Sequence, residues 1–456
     1  MSSSSSNAPA ALNGGSYVML VCRSLSEHSV ANIHGRRPGA GPAGTGKIRV
    51  KFLVDNEKKK VVFAESGKDF VDVLFSFLTL PLGTIVRLLG KDSSLGCFDE
   101  LYKSVERLDA SHFQTKACKN MLLRPLNAAG KLCENLVVRI DDTNHRPYNF
   151  LLLLRNLGID DVTMLEEKTL ELGLEEIKNL LKQILTSDQP LTDLLFNPTH
   201  ESTRTVGPIS MDVNVSSEDD SSSDSNVIKV KLLVAKINQS IVHAEVGEEF
   251  CNLLFSFLTL PLGRVIKLLG GSSSISCIDN LYKTVDLNLN DCISSYESQY
   301  MVVCPWLPAF FSCSNSLLPS YEVAPAVSSV ACCSPCIRNF SHLVLKEIKC
   351  SHGNTKMLAV NPKVPTMTTE TGGGYAKGPG KFLVTNELGV VPFSLMNALH
   401  ELKGKELSIS KLETKEFTFT QVEALNLLRA ALLSRDALTL AYLATNKPKR
   451  RPRHHY

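Results

Sequence analysis

Six cysteines fall in one stretch of the chain: Cys304, Cys313, Cys332, Cys333, Cys336 and Cys350. Zinc is held when four thiolates or imidazoles converge, and regular sites supply them as two close pairs, each on a tight turn. Cys333 and Cys336 have that inner spacing. Cys304 and Cys313 are too far apart for a regular knuckle. Pro305 and Pro308 between them donate no amide to a sulfur-binding turn. If the stretch holds zinc, its ligands are Cys304, Cys313, Cys333 and Cys336, with His342 and His352 as substitutes. A loop of free thiols is the expectation, and no cofactor is predicted; zinc is the alternative.

Other residues have the types for chemistry without the setting. Gly41 to Lys47 spells the spacing of a phosphate-cradling loop, but Ile48 follows the lysine where Ser or Thr belongs, and a strand pattern follows where a helix is needed. Gly372, Gly373, Gly374, Gly378 and Gly380 lead into the strand-like run Phe382–Thr385, so they read as a turn rather than an anion site. Asp141 and Asp142 lack the further oxygen ligands that a cation requires and read as a strand-end turn. Cys97 and Cys277 precede an amphipathic helix and read as core thiols. The sequence has no GxSxG elbow, and its 11 histidines form no HExxH pair. No catalytic residue is assigned.

Charge narrows the partners. Lys and Arg number 49 against 46 Asp and Glu. Five of the 49 (Lys447, Lys449, Arg450, Arg451 and Arg453) lie in the last eleven positions, leaving 44 against 46 for the rest. A near-neutral body gives no electrostatic case for specific nucleic-acid binding. The basic tail has the form of a nuclear import signal, and a solvated tail is the plainer alternative. The start of the chain lacks the charged and apolar regions of a secretory leader. Its Ser-rich, acid-poor composition is faintly like an organelle transit peptide. No apolar run approaches the roughly 18 residues of a membrane span. The expected setting is intracellular, cytoplasm or nucleus ahead of plastid, where the 13 cysteines stay reduced.

The elements that would position such residues come twice. Ile48–Val105 aligns with Ile228–Val285 at a constant offset of 180, with about thirty of some fifty-eight positions identical. Both copies carry LFSFLTLPLG, at Leu74–Gly83 and Leu254–Gly263, and LYK, at Leu101–Lys103 and Leu281–Lys283. A looser repeat relates Leu180, Leu181, Leu191 and Thr192 to Leu427, Leu428, Leu438 and Thr439. In each copy, alternating apolar residues predict a β-hairpin. A helix opening near Gly67-Lys68-Asp69 and closed by Pro81 is apolar nearly all round, which predicts burial on more than one side. Phe98, Leu101, Tyr102 and Val105 then mark an amphipathic helix, as do Leu174, Ile177, Leu181 and Ile184, and Leu425, Leu428 and Leu432.

The expected fold is therefore α+β: two homologous tandem modules, each a hairpin followed by helices and a looser C-terminal α+β half. Residues 1–46 form a leader without regular structure, 47–196 the first module and 197–226 a linker. The linker contains the acidic, Ser-rich Ser216–Ser225. Residues 227–445 form the second module with its Cys-rich insert, and 446–456 the basic tail.

The run from Lys51 to Gly83, then GCFDELYKSV (Gly96–Val105), CKNMLLRP (Cys118–Pro125) and IDDT (Ile140–Thr143), closely resembles the plant family called domain of unknown function 674. GGGYAKGPGKFLVTNELGVVP, Gly372–Pro392, resembles a later segment of that family. The resemblance implies a plant protein of one or two such units and brings no activity. It also implies a C-x4-C pair followed by C-x-C in the insert, a pattern matched here only loosely. The first copy runs from IDDT almost directly to Phe150-Leu151 without that insert, while the second keeps cysteines and lacks IDDT. The expected role is a non-catalytic protein-interaction or scaffold protein, bivalent by duplication. The alternative is an enzyme or metal-binding protein whose site uses dispersed residues or the Cys-rich insert. A protein partner is expected, and the sequence does not define the oligomeric state.

Overall fold

The computed structural model describes residues 19–22, 48–66, 68–129, 165–196, 227–287, 296–313, 316–323, 344–349, 355–363, 373–404 and 408–445. The linker 197–226 and the tail 446–456 lie outside them, as do Gly41 to Lys47 and Asp141-Asp142.

Within the leader, Met19–Cys22 forms strand β1, although regular structure was not expected there. Strand β2, Ile48–Asp55, follows the period-two rule: Val50, Phe52 and Val54 are fully buried, while Arg49 and Lys51 face solvent. A four-residue turn returns the chain as β3, Lys60–Ser66, completing the expected hairpin. Helices α1 (Lys68–Thr79) and α2 (Leu82–Leu88) meet at Leu80-Pro81, where the proline ends one helix and is the N-cap of the next. Helix α3, Phe98–Arg107, buries Phe98, Leu101, Tyr102 and Val105, the four residues its spacing marks. Helix α4 is Lys116–Leu123; β4, Leu165–Leu172, then leads into α5, Leu174–Thr186, and α6, Pro190–Phe196.

The second copy repeats the order. Strands β5 (Ile228–Ala235) and β6 (Ile241–Gly247) are followed by α7 (Glu248–Thr259), α8 (Leu262–Leu268) and α9 (Ser276–Leu287). Then come α10 (Tyr296–Val303), a separate hairpin of β7 (Val344–Lys349) and β8 (Thr355–Val360), β9 (Lys381–Thr385) and β10 (Val390–Pro392). The chain closes on α11 (Leu395–Gly404), β11 (Leu412–Phe419), α12 (Gln421–Leu433) and α13 (Ala437–Thr445). The protein is α+β, and no helix among the described residues is long and apolar enough to cross a membrane.

Both halves of the repeat hold in the strand register. Ile48 of β2 stands opposite Leu172 of β4, and Ile228 of β5 opposite Phe419 of β11. The hairpins share an irregularity at the same place, between Leu53 and Val54 and between Leu233 and Val234. The helix entries agree as well. Glu176 accepts the Gly173 amide at 2.8 Å, and Glu423 accepts the Thr420 amide at 3.0 Å, the reaching-back half of a capping box. One slot differs. Beside β6 lies antiparallel β9, with Ala244 opposite Val384, whereas beside β3 lies parallel β1, with Ala64 opposite Leu20.

The compact units cut across the repeats. One comprises residues 1–71 and 141–203, and holds the sheet β1-β3-β2-β4. The other comprises 72–140 and 204–456, and holds the sheet β10-β9-β6-β5-β11. The division falls inside α1, so the helices α2 to α4 of the first copy belong to the unit built on the second copy's sheet. There they pack on α7. This accounts for the all-round apolar sequence: nine of the ten α7 positions from Phe250 to Thr259 are buried, between the sheet on one side and α2–α4 on the other. Each fully buried Phe or Leu there contributes about 1.5–3 kcal/mol.

Candidate functional site

Cys97 sits at the start of α3 with its side chain buried. Its amide donates to the Ala431 carbonyl at 2.8 Å and its Sγ to the Ser434 carbonyl at 3.0 Å. Burial pushes its pKa up to about 12. A nucleophilic thiol needs the opposite shift, so the geometry is that of a structural thiol. Gly96 just before it adopts φ +47°, and a Cβ there would run into the Ala431 carbonyl. Only glycine lets this turn approach α12 so closely.

Cys304 and Cys313 are placed in different surroundings. Cys304, fully buried at the end of α10, accepts from Arg264 Nη1 at 2.7 Å. The other guanidinium nitrogen, Nη2, donates to the Pro319 carbonyl at 2.8 Å, and the group lies 4.8 Å from the Tyr321 ring centre. Tyr300 also bonds Cys304, which together with burial raises the pKa of the phenol. The sequence reading passed over Arg264. The repeat comparison could have found it, because Arg264 stands where the first copy has Thr84 in the otherwise identical LPLG turn.

Cys313 belongs to a second knot. Lys363, 1% exposed, donates to the Ser312 carbonyl and lies 4.1 Å from the centre of the Tyr375 ring. Burial pushes the Lys363 pKa down, against the opposing pull of Cys313, Glu322 and Cys118. Burial likewise raises the Cys313 thiol and the Tyr375 phenol, whose hydroxyl donates to the Phe311 carbonyl at 2.6 Å. Asn252 on α7 accepts the amides of Tyr375 and Ala376, both at 2.8 Å. The knot ties the loop 310–313 to the Gly-rich run, which leads into β9. Nothing in the sequence marks Lys363, one of 49 basic residues.

Cys332, Cys333, Cys336, Cys350, His342 and His352 lie outside the described residues, so the four proposed ligands cannot be placed together. Among the described residues, no three His, Cys, Asp or Glu side chains gather to hold a metal. Cys277 is partly buried at the start of α9.

The open face of the second sheet carries a groove of about 770 Å³. Lys229, Lys231, Glu245, Glu248, Lys381 and Glu416 line it, with Phe393 and Phe417. Strand register explains the alternation of sign: Lys231 stands between Glu245 on β6 and Glu416 on β11. Opposed charges across strands stabilise a solvated sheet face. Beyond Phe393, α11 exposes Leu395 by 76% and Met396 by 75%, with Leu399 exposed one turn on. Leu402, in the same helix, packs against the cluster of Ala235, Val242 and Leu412 and fixes the helix to the sheet.

The family model described as protein of unknown function (DUF674) matches residues 44–151 and again 145–422. No curated protein and no solved structure gives a significant match. Together the two matches span most of the chain, so the chain belongs to the DUF674 family and carries two copies of its domain.

Proposed function

We propose that the chain is a non-catalytic interaction protein that takes a protein partner on the open face of its second sheet. The observation that carries this reading is the exposure of Leu395 and Met396 at the start of α11, beside the groove edge at Phe393. A surface keeps two large apolar side chains three-quarters exposed at a cost in solubility, and a partner that covers them regains about 1.5–3 kcal/mol for each. The groove's mixed charges suit a polar rim around such an apolar centre. On the same reading the tail Lys447, Lys449, Arg450, Arg451 and Arg453 serves nuclear import, which places the partner in the nucleus or cytoplasm.

The test uses the full chain as bait in a cell extract, compared with Leu395→Asp/Met396→Asp and with Ile237→Asp as an exposed control elsewhere. Quantitative mass spectrometry should show partners lost at least tenfold in the double variant and kept in the control, with thermal midpoints unchanged. Equal recovery by all three baits would overturn the reading.

A further inference from the structure

The two LTLPLG motifs cross each other. The Leu82 amide donates to the Leu260 carbonyl at 2.9 Å, and the Leu262 amide donates to the Leu80 carbonyl at 2.9 Å, with Pro81 opposite Pro261. This is a non-hydrogen-bonded antiparallel pair, the position at which an amide hydrogen is not used, so both prolines fit without loss. Gly83 and Gly263 follow. A Cβ on Gly83 would lie 2.9 Å from the Leu258 carbonyl oxygen, and one on Gly263 would lie 3.0 Å from that of Leu78. Every partner named so far is offset by 180 from its counterpart, so the contact obeys a two-fold relation between the copies.

Beyond the crossing, the first copy's helices are seated on the second copy. Phe98 meets Phe257 at 6.5 Å between ring centres, and Phe113 stacks on Phe255 at 5.8 Å. The Val390 amide donates to Ser104 Oγ at 2.9 Å, tying α3 to β10. The Gln114 amide donates to the Tyr375 carbonyl at 2.9 Å, and Thr115 Oγ1 to the Pro362 carbonyl at 2.7 Å. The helices after the proline thus cover α7 of the other copy.

We infer that the repeat is a homotypic pairing module: its recognition surface, built on the LTLPLG crossing and the helices beyond it, takes a second copy of the same repeat. A two-fold contact is self-complementary, so one sequence serves both sides. In this chain the second copy is supplied in cis, and the linker raises its effective concentration without holding the pair together. The partner is another such repeat, covalently attached here and equally recognisable on a separate chain. This inference is independent of the α11 surface.

The test begins with the full chain carrying a site-specific protease sequence within 197–226. After complete cleavage, the two fragments should co-elute in gel filtration at the mass of the intact chain, at micromolar and at nanomolar concentration. Separate elution would overturn the inference. A second measurement guards against mere aggregation. Residues opposite each other in a non-hydrogen-bonded pair have Cα atoms ~4.5 Å apart, within disulfide range. The cleaved chain bearing Pro81→Cys together with Pro261→Cys should, on mild oxidation, join its two fragments through a bond that peptide mapping places between positions 81 and 261. Fragments that co-elute without forming that bond would equally overturn it.

Discussion

Thr439 Oγ1 accepts the Ile241 amide at 2.8 Å, and Thr192 Oγ1 accepts the Val61 amide at 3.1 Å. The two threonines are counterparts in the looser half of the repeat, and the two amides are counterparts in the stricter half. A side-chain bond reproduced at this sequence separation shows that the C-terminal half of each module returns to its own hairpin. In the second copy the same hydroxyl donates to Asn386 Oδ1 at 3.0 Å, so Thr439 sits in a small network.

Replacing Thr439 by Val keeps the shape and removes both bonds. The expected loss of stability is about 1–3 kcal/mol, because a partly buried amide and an amide oxygen each lose a partner. Thr439→Ser should recover most of it. Urea unfolding of the three proteins measures the difference, and an unchanged midpoint in Thr439→Val would contradict the account.

Cys97 gives a pH dependence. Its folded pKa is raised to about 12 from an ordinary 9.0 by burial. A raised acid is ionised more readily in the unfolded chain. The stability it contributes is therefore complete below pH 9 and is lost as pH rises from 9 towards 12. Between pH 8 and 10.5 the wild type should lose about 1–2 kcal/mol more than Cys97→Ala, as an order of magnitude. The thiol should also resist alkylation in the folded protein at pH 8. Rapid labelling of Cys97, or equal alkaline losses in both proteins, would contradict a buried structural thiol.

How much of this was legible in the sequence differs by element. The alternation in Ile48–Asp55 and the spacing of Phe98, Leu101, Tyr102 and Val105 come from one buried face each, so they read directly. Strand β4, LEEKTLEL, did not read. Its charged residues reach solvent and neighbours across the sheet, with Lys51 bonded to Glu167 and Arg49 to Glu171, and such a run looks like a charged helix face. The all-round apolar helix announced burial on two sides but not what lay on the second side. The copies share LFSFLTLPLG, so helices covering their own hairpin and helices covering the other copy's bury the same residues; only the backbone crossing at Pro81 and Pro261 separates the two. Arg264 was visible as a departure from Thr84, whereas Lys363 was not, because burial rather than residue type makes it unusual.

The cysteines give a prediction about metal. Cys304 is engaged by Arg264, and Cys313 lies in the knot around Lys363 and Tyr375. A zinc ion needs its sulfurs at about 2.3 Å, which would require both residues to leave these partners. Purified protein should therefore contain well under one zinc per chain, and a chelator should leave its thermal midpoint unchanged. One zinc per chain, lost together with structure on chelation, would revive the site at Cys304, Cys313, Cys333 and Cys336.

Hydrogen exchange on the intact chain tests the crossing of the repeats most directly. The Leu82 and Leu262 amides each bond a carbonyl of the other copy. The motif peptides are identical in mass, but fragments that run on into Thr84 or Arg264 tell the copies apart. Both amides should exchange as slowly as those of the buried helix Glu248–Thr259. Exchange at both on the timescale of open loops would mean that the copies do not cross at Pro81 and Pro261.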